Sequence, residues 1–439
     1  MLVAKVQRAG KRPQPIWQEN RTAMPLPTES PENGLTIRHS QEKPVIAIYA
    51  EPLLSLSMTF VRAQASALVR FRPVYVSPQR AVPSLEIPPE QTVVLCDNPG
   101  APWAWNRLKQ VPFKVFGHAP LFFRKVRACN PVLLHAHFGP AGLTALPLAR
   151  QLKLPVVVTF HGYDATLTDK ELAGSHYRIR AYVRNRHVLQ REANLFLAVS
   201  QFVRNEMLAR GFPDERIVVH YTGVDVEFFR PQPQVRREPV VLFTGRLVEK
   251  KGCVHLIRAM AEVQTAMPTV KLVMIGDGEL RNDLEQMARA TLRDCSFLGM
   301  QSADTVREWM SRATVFCGPS IRGKSGDAEG FGMVFAEAQS MELPVASFAC
   351  GGITEAVAHG DTGLLAAEGD WQTLAHNLLL LLRNENLRKR MGAVGRQRIL
   401  KLFDLSTQTR MLENLYTRVL TGAATSGTWE TRFKAANVL

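Results

Sequence analysis

Two series of short, uninterrupted apolar runs, each alternating with longer helical stretches, constrain what this 439-residue chain can fold into. The first series begins after Pro44 and reads VIAIY (45–49), VVLC (93–96), VLLHAH (132–137), VVVTF (156–160) and LFLAVS (195–200). Continuous β-branched runs, in place of strict apolar–polar alternation, are what parallel strands buried on both faces require. The segment PQPQVRREP (231–239), with three prolines and an arginine pair, stops the pattern, and VVLFT, VKLVMIG (270–276), ATVFCGPS (313–320) and PVASF (344–348) restart it. The pattern predicts an α/β chain with two doubly wound, Rossmann-like domains, 44–230 and 240–404, joined by the linker 231–239. Roughly 100–200 residues per domain also gives two. Residues 1–43 are Pro-rich, basic and polar, and predict a flexible tail. The periodicity of LSTQTRMLENLYTRVL predicts a helix within 405–439 that packs back on the N-terminal domain, ahead of a loose end from Thr421.

Several classes are disfavoured. No run approaches the roughly 18 apolar residues of a membrane span, and LLLLL at 378–382 is far too short. The start, MLVAKVQRAGKRPQP, lacks the apolar stretch of a secretory signal, so a cytoplasmic location is expected. Cys96, Cys129, Cys253, Cys295, Cys317 and Cys350 are scattered without CxxC or zinc-site spacing, which fits reduced thiols. The net charge of +15 lies mostly in residues 1–230, where 29 Lys and Arg face 17 Asp and Glu. It concentrates in LFFRKVR (121–127) and RIRAYVRNRHVLQR (178–191), where arginine is interleaved with aromatic and aliphatic groups. Such a face suits peripheral contact with anionic lipid on the inner side of the plasma membrane, at about 1 kcal/mol per basic residue. An ordinary solvated arginine-rich helix is the alternative. No nucleic-acid partner is expected, because helix-turn-helix, zinc-finger and aromatic RNA-binding signatures are absent.

In open parallel sheets ligands bind at the carboxyl ends of strands, and four motifs of the second half fall there. GRLVEKKG places Arg246 and Lys251 in a loop bounded by Gly245 and Gly252. A guanidinium fork and a mobile ammonium suit a diphosphate whose charge grows as it departs. IGDGEL (275–280) gives a strand-ending turn at Gly278, and Gly351–Gly352 another. EGFGMVFAE (329–337) sets two carboxylates around a helix expected to begin near Gly332. Met333 and Val334 in its first turn would offer free N–H groups and the positive helix end to a phosphate. Glu337, further along, would accept from ribose hydroxyls, and Glu329 from a sugar hydroxyl. Taken singly, each motif is also compatible with a basic turn, a solvated helix face or plain turn chemistry.

Together and in order, these motifs resemble the retaining family-4 glycosyltransferases of GT-B fold: G-R-x(4)-K-G, a G-D-G turn, E-x(7)-E and a following glycine pair. HAHFG (135–139), TFHGYD (159–164) and HYTGVDVEFFRP (220–231) look like that family in the first half, and GDAEG before the helix looks like its bacterial exopolysaccharide branch, of colanic-acid and amylovoran type. The resemblance implies an acceptor-side N-terminal domain facing a nucleotide-sugar-binding C-terminal domain across a cleft. It implies Arg246 and Lys251 on the diphosphate, Glu329 and His161 near the transferred sugar, and Glu337 on the ribose. Two departures stand out: Met58 in SMTFVRAQ replaces the Glu of many relatives, and Thr222 in TGVD replaces the commoner Asn.

The expected activity is transfer of a hexosyl unit, with retention, from a UDP- or GDP-sugar to a lipid-linked or growing polysaccharide acceptor. No cofactor or metal is expected, because cationic side chains already supply the charge. A nucleotide-sugar epimerase on the same fold and a catalytically silent nucleotide-sugar-binding scaffold at the membrane are the competing readings.

Overall fold

The computed structural model describes residues 42–422 apart from 56, 82–83, 97–109, 115 and 175–176, so the expected N-terminal tail and loose C-terminal end lie almost wholly outside the described residues. From Lys43 onward the chain forms one compact unit. Its first sheet contains Val45–Tyr49 (β1), Arg72–Gln79 (β2), Thr92–Cys96 (β3), Pro131–His137 (β4), Val156–Phe160 (β5), Leu195–Ala198 (β6) and Ile217–Val219 (β7), in the order β3-β2-β1-β4-β5-β6-β7. The second contains Val240–Thr244 (β8), Lys271–Ile275 (β9), Cys295–Phe297 (β10), Val315–Cys317 (β11), Val345–Phe348 (β12) and Gly363–Ala366 (β13), in the order β10-β9-β8-β11-β12-β13. All neighbouring strands run parallel. Every residue of β1, β5 and β8 is buried, as continuous apolar runs covered on both faces demand. In each sheet the strand order reverses once, between β1 and β4 and between β8 and β11, and loops from those strands form the site described below.

The helix Leu405–Thr421 belongs physically to the first sheet. The Tyr416 hydroxyl lies 2.6 Å from Nδ1 of His135 on β4. The buried Glu413 carboxylate accepts from the backbone N–H groups of Val69 (2.8 Å) and Arg70 (2.6 Å). Asp404 starts this helix by accepting from the Thr407 N–H at 2.9 Å, an ordinary N-cap.

The basic segments are less available than their composition suggests. In the helix Pro120–Ala128, Phe122, Phe123 and Val126 are buried, so the aromatic rings interleaved with arginine face the core and not solvent. Leu121, Arg124, Lys125 and Arg127 remain exposed on the outer side. In the helix Tyr177–Glu192, Arg178 pairs with Glu51 (3.1 Å), Arg186 with Asp169 (2.8 Å) and Arg191 with Glu192 (3.0 Å). Among the described residues no helix is long and apolar enough to cross a membrane.

Candidate active site

The second sheet supplies the cationic side. After β8 the chain turns at Gly245 and runs into a short 3-10 turn, Glu249–Lys251, ended by Gly252 at φ +64°. A Cβ at Gly252 would stand 1.9 Å from the Pro319 carbonyl oxygen, so only glycine permits this turn to close on the loop after β11. Lys251 forms an ion pair with Glu329, and Lys250 pairs with Asp327 at 3.0 Å. Adjacent lysines thus engage carboxylates two residues apart, with the fully buried Ala328 between them. Burial acts to raise the Glu329 carboxyl, but the charges of Lys251, Lys250 and Arg246 outweigh it and hold it down at about 2. Arg246 is exposed, yet close enough for its charge to act on Glu329.

Directly after Glu329 the helix Met333–Ser340 begins behind Gly332 at φ +80° and has no side-chain cap. Its first N–H groups have no carbonyl one turn back and carry the positive end of the helix dipole. Met333 and Val334 are half-buried in that first turn. Glu337 lies one turn further on, half-buried, and burial raises its carboxyl to about 7. Gly278 plays a different part: a Cβ there would stand 2.4 Å from the Leu247 oxygen, so it lets the turn after β9 pack on the Arg246 loop.

His161 comes from the first sheet, at the carboxyl end of β5. Asp164, fully buried, accepts from the N–H groups of His161 (3.1 Å), Gly162 (3.0 Å) and Gly139 (2.9 Å). Burial raises the Asp164 carboxyl to about 6, against the pull of those N–H groups. The His161 ring is fixed by His137, whose Nδ1 lies 3.0 Å from His161 Nε2. Burial lowers both imidazoles, His137 to about 3, so both are neutral at pH 7.

Backbone meets backbone between the two sides. A Cβ on Gly330 would stand 2.2 Å from the His161 carbonyl oxygen, and the Ser200 hydroxyl donates to the Gly330 carbonyl at 2.5 Å. The Gly352 N–H donates to the Glu329 carbonyl at 2.9 Å, and a Cβ on Gly352 would fall 1.9 Å from the Gly330 oxygen. The glycine pair after β12 is therefore a cradle for the Glu329–Gly330 backbone. Lys251, Glu329, the His161 backbone and the start of the Met333 helix gather in one place, with Arg246 at the edge. Lys250, Asp327, His137 and Asp164 complete the arrangement; each stands inside or beside a motif named above, but nothing in the sequence shows which side chains they meet.

The family model "Glycosyltransferase Family 4" matches residues 59–228, and "Glycosyl transferases group 1" matches 225–398. The phosphatidyl-myo-inositol mannosyltransferase of Mycobacterium leprae is 30% identical over 298 residues, covering 66% of this chain and 75% of that one. The chain belongs to the family-4 glycosyltransferases. The fold of this glycosyltransferase is GT-B: Anabaena HepE, solved with UDP and glucose, matches with a TM-score of 0.66 at 20% identity, covering 86% of this chain and all of HepE. The amylovoran branch suggested by GDAEG has its counterpart in the amylovoran biosynthesis glycosyltransferase AmsK of Erwinia amylovora, 32% identical over 57% of this chain. The matched stretch spans 61% of AmsK's own length.

Proposed function

We propose that this glycosyltransferase moves a hexosyl unit from a UDP- or GDP-sugar to a lipid-linked or growing polysaccharide acceptor, with retention at the anomeric carbon, in the synthesis of a cell-surface polysaccharide. The observation that carries the reading is the Lys251–Glu329 pair seated immediately before an uncapped helix N-terminus. The bond from the anomeric carbon to the diphosphate breaks, and the acceptor oxygen bonds to that carbon on the same face. The acceptor's proton passes to the departing phosphate oxygen, so no protein nucleophile is needed. Arg246, Lys251 and the N–H groups at Met333 and Val334 stabilise the diphosphate, Glu337 accepts from the ribose, and Glu329 and His161 orient the sugar. These groups neutralise the leaving charge without a metal, so activity should survive EDTA; loss in EDTA restored by manganese would refute that part. The enzyme works in the cytoplasm, against the inner face of the membrane, through Arg124, Lys125 and Arg127. Flotation with anionic liposomes should fall when those three are replaced.

The deciding experiment is a thermal-shift panel with UDP, GDP, ADP and their common sugars on the wild type and Glu337→Ala. A nucleotide at 100 times its Kd adds about 2.7 kcal/mol of stability. Stabilisation by one base, weakened in the variant, supports the reading; no shift from any nucleotide rejects it.

A further inference from the structure

The loop 321–329, which ends on Glu329, is held from both domains. On one side the 3-10 turn Glu249–Lys251 laces it at each of its residues. The Glu249 carboxylate accepts from the Lys324 N–H at 3.2 Å, the Lys250 carbonyl accepts from the Ile321 N–H at 2.8 Å, and the Lys250 and Lys251 side chains pair with Asp327 and Glu329. On the other side the chain after β5 and the helix Gln201–Leu208 hold it. The Thr168 N–H donates to the Ser325 carbonyl at 3.1 Å, and Arg322 donates to Glu206 at 2.8 Å. The loop therefore lies between the cationic turn of the second domain and the His161 turn of the first.

Thr166 is the side chain of the first domain that reaches the residues just before Glu329. It is buried, and its hydroxyl donates to Oδ1 of Asp327 at 3.1 Å and accepts from the Ala328 N–H at 3.3 Å. Lys250 Nζ donates to the same Asp327 oxygen at 3.0 Å, so Thr166, Asp327 and Lys250 form one polar chain across the domains. A hydroxyl has a single proton to give, and here it goes to the carboxylate while a lone pair takes the backbone N–H. Valine would fill the same volume, so packing alone does not require the oxygen. Thr166 also shares a turn with His161: its own N–H donates to the Gly162 carbonyl at 2.8 Å, and the Gly162 N–H is held by Asp164 at 3.0 Å.

His161 and Glu329 belong to different domains, yet in the transfer reading above both orient one sugar, and a shift of about 1 Å between such groups costs rate steeply. The backbone approach of Gly330 to the His161 carbonyl limits how near the two can come, but a steric limit does not fix how far apart they stand. A directional hydrogen bond does. Resting on that reading, we propose that Thr166 is a positioning residue for the transfer step. Its hydroxyl fixes the separation of His161 from Glu329 and, through Asp327 and Lys250, passes the ordering of the Arg246–Lys251 loop by a bound diphosphate to the His161 turn. Thr166 touches no reacting atom; it acts through the loop it grips.

The test uses the full chain and reads amide hydrogen exchange by mass spectrometry, with UDP and GDP as probes. In the wild type one of the two nucleotides should slow exchange about fivefold or more both in residues 246–252 and in residues 163–170. In Thr166→Val the same nucleotide should still protect 246–252 but no longer 163–170, and Thr166→Ser, which keeps the hydroxyl, should restore the second effect. Asp327→Asn removes the charge that holds Lys250 and should break the link from the other side, so the proposal does not depend on the valine variant folding. Turnover gives a second readout, as nucleoside diphosphate release from UDP-glucose, UDP-galactose and GDP-mannose. Thr166→Val should lower kcat about tenfold or more while the nucleotide's Kd stays within about threefold of wild type, and Thr166→Ser should recover most of that kcat. Valine and asparagine variants that still pass protection to 163–170 overturn the proposal, and so does wild-type protection confined to 246–252. A nucleotide that protects neither segment of the wild type would instead reject the transfer reading, and the coupling with it.

Discussion

The imidazoles of His137 and His161 stack at 22° with centroids 5.3 Å apart, and Nδ1 of His137 lies 3.0 Å from Nε2 of His161. With both rings neutral, one of these nitrogens donates and the other accepts. The contact occupies Nε2 of His161, so in the sugar-orienting role proposed above its Nδ1 would face the ligand. His137→Phe keeps a stacked ring but removes the partner nitrogen. It should lower kcat about tenfold or more, with the KM for the nucleotide sugar changed much less. His161→Ala and the double variant should then differ little, because the two residues act as one unit. Steady-state kinetics on the three variants check this.

The Lys251–Glu329 pair makes a second prediction. With side-chain exposures of 14% and 13%, this is no surface bridge, and removing one partner strands the other charge away from water. Lys251→Met should destabilise the enzyme by about 2–4 kcal/mol at pH 7, and adding Glu329→Gln should recover part of the loss. Because the folded Glu329 carboxyl sits at about 2 against an ordinary 4.5, its contribution is full above 4.5 and lost as pH falls toward 2. The difference between wild type and Lys251→Met should therefore shrink across that window. Denaturant melts of the single and double variants at pH 7 and pH 3.5 measure both effects.

What the sequence displays and what it hides follow from the range of the forces involved. VIAIY, VVVTF and VVLFT declare β1, β5 and β8 because burial on both faces demands an unbroken apolar run. β2 is not legible in the same way: it reads RPVYVSPQ, with two prolines, and pairing with both neighbours makes it a strand. The three- and four-residue strands β7, β10 and β13 are too short to carry a period. Arg246, Lys251 and Glu329 stand in loops after β8 and β11, and Glu337 inside the helix Met333–Ser340, as the spacing of their motifs suggests. Partners such as His137 for His161, Asp327 for Lys250 or Tyr416 for His135 are set by tertiary approach across up to 281 residues, which composition and periodicity do not encode.

Glu355, in the ITEAV stretch after the glycine pair, ties the two sheets together. Its carboxylate accepts from the N–H groups of Gln201 (2.7 Å) and Phe202 (2.8 Å), at the start of a helix of the first domain, and from the Tyr221 hydroxyl (2.9 Å). Glu355→Ala removes the acceptor of the Gln201 and Phe202 N–H groups and a negative charge from a helix N-terminus. A loss of about 2–4 kcal/mol is expected, together with a larger radius of gyration in solution scattering as the domains part. Scattering that matches wild type alongside the lower stability would make Glu355 a local cap only.

With the ribose contact proposed above, Glu337 would tie donor binding to pH. Burial raises its carboxyl to about 7 from an ordinary 4.5, so the neutral form is favoured in the fold and ionisation costs stability. The unfolded chain loses this proton near 4.5 and the folded one near 7, so the residue's effect on stability grows less favourable as pH rises between them. Glu337→Gln lacks that slope, and at pH 8 its Tm should exceed that of the nucleotide-free wild type by roughly 2–4 °C. Ribose hydroxyls reverse the balance, because they donate and an ionised carboxylate accepts. Wild-type affinity for the stabilising nucleoside diphosphate should rise about tenfold from pH 5.5 to pH 8.5. The glutamine variant should bind weakly with a flatter pH profile. Calorimetric titration of both proteins at pH 5.5, 7.0 and 8.5 measures this, and a wild-type affinity that falls with pH would remove Glu337 from the ribose.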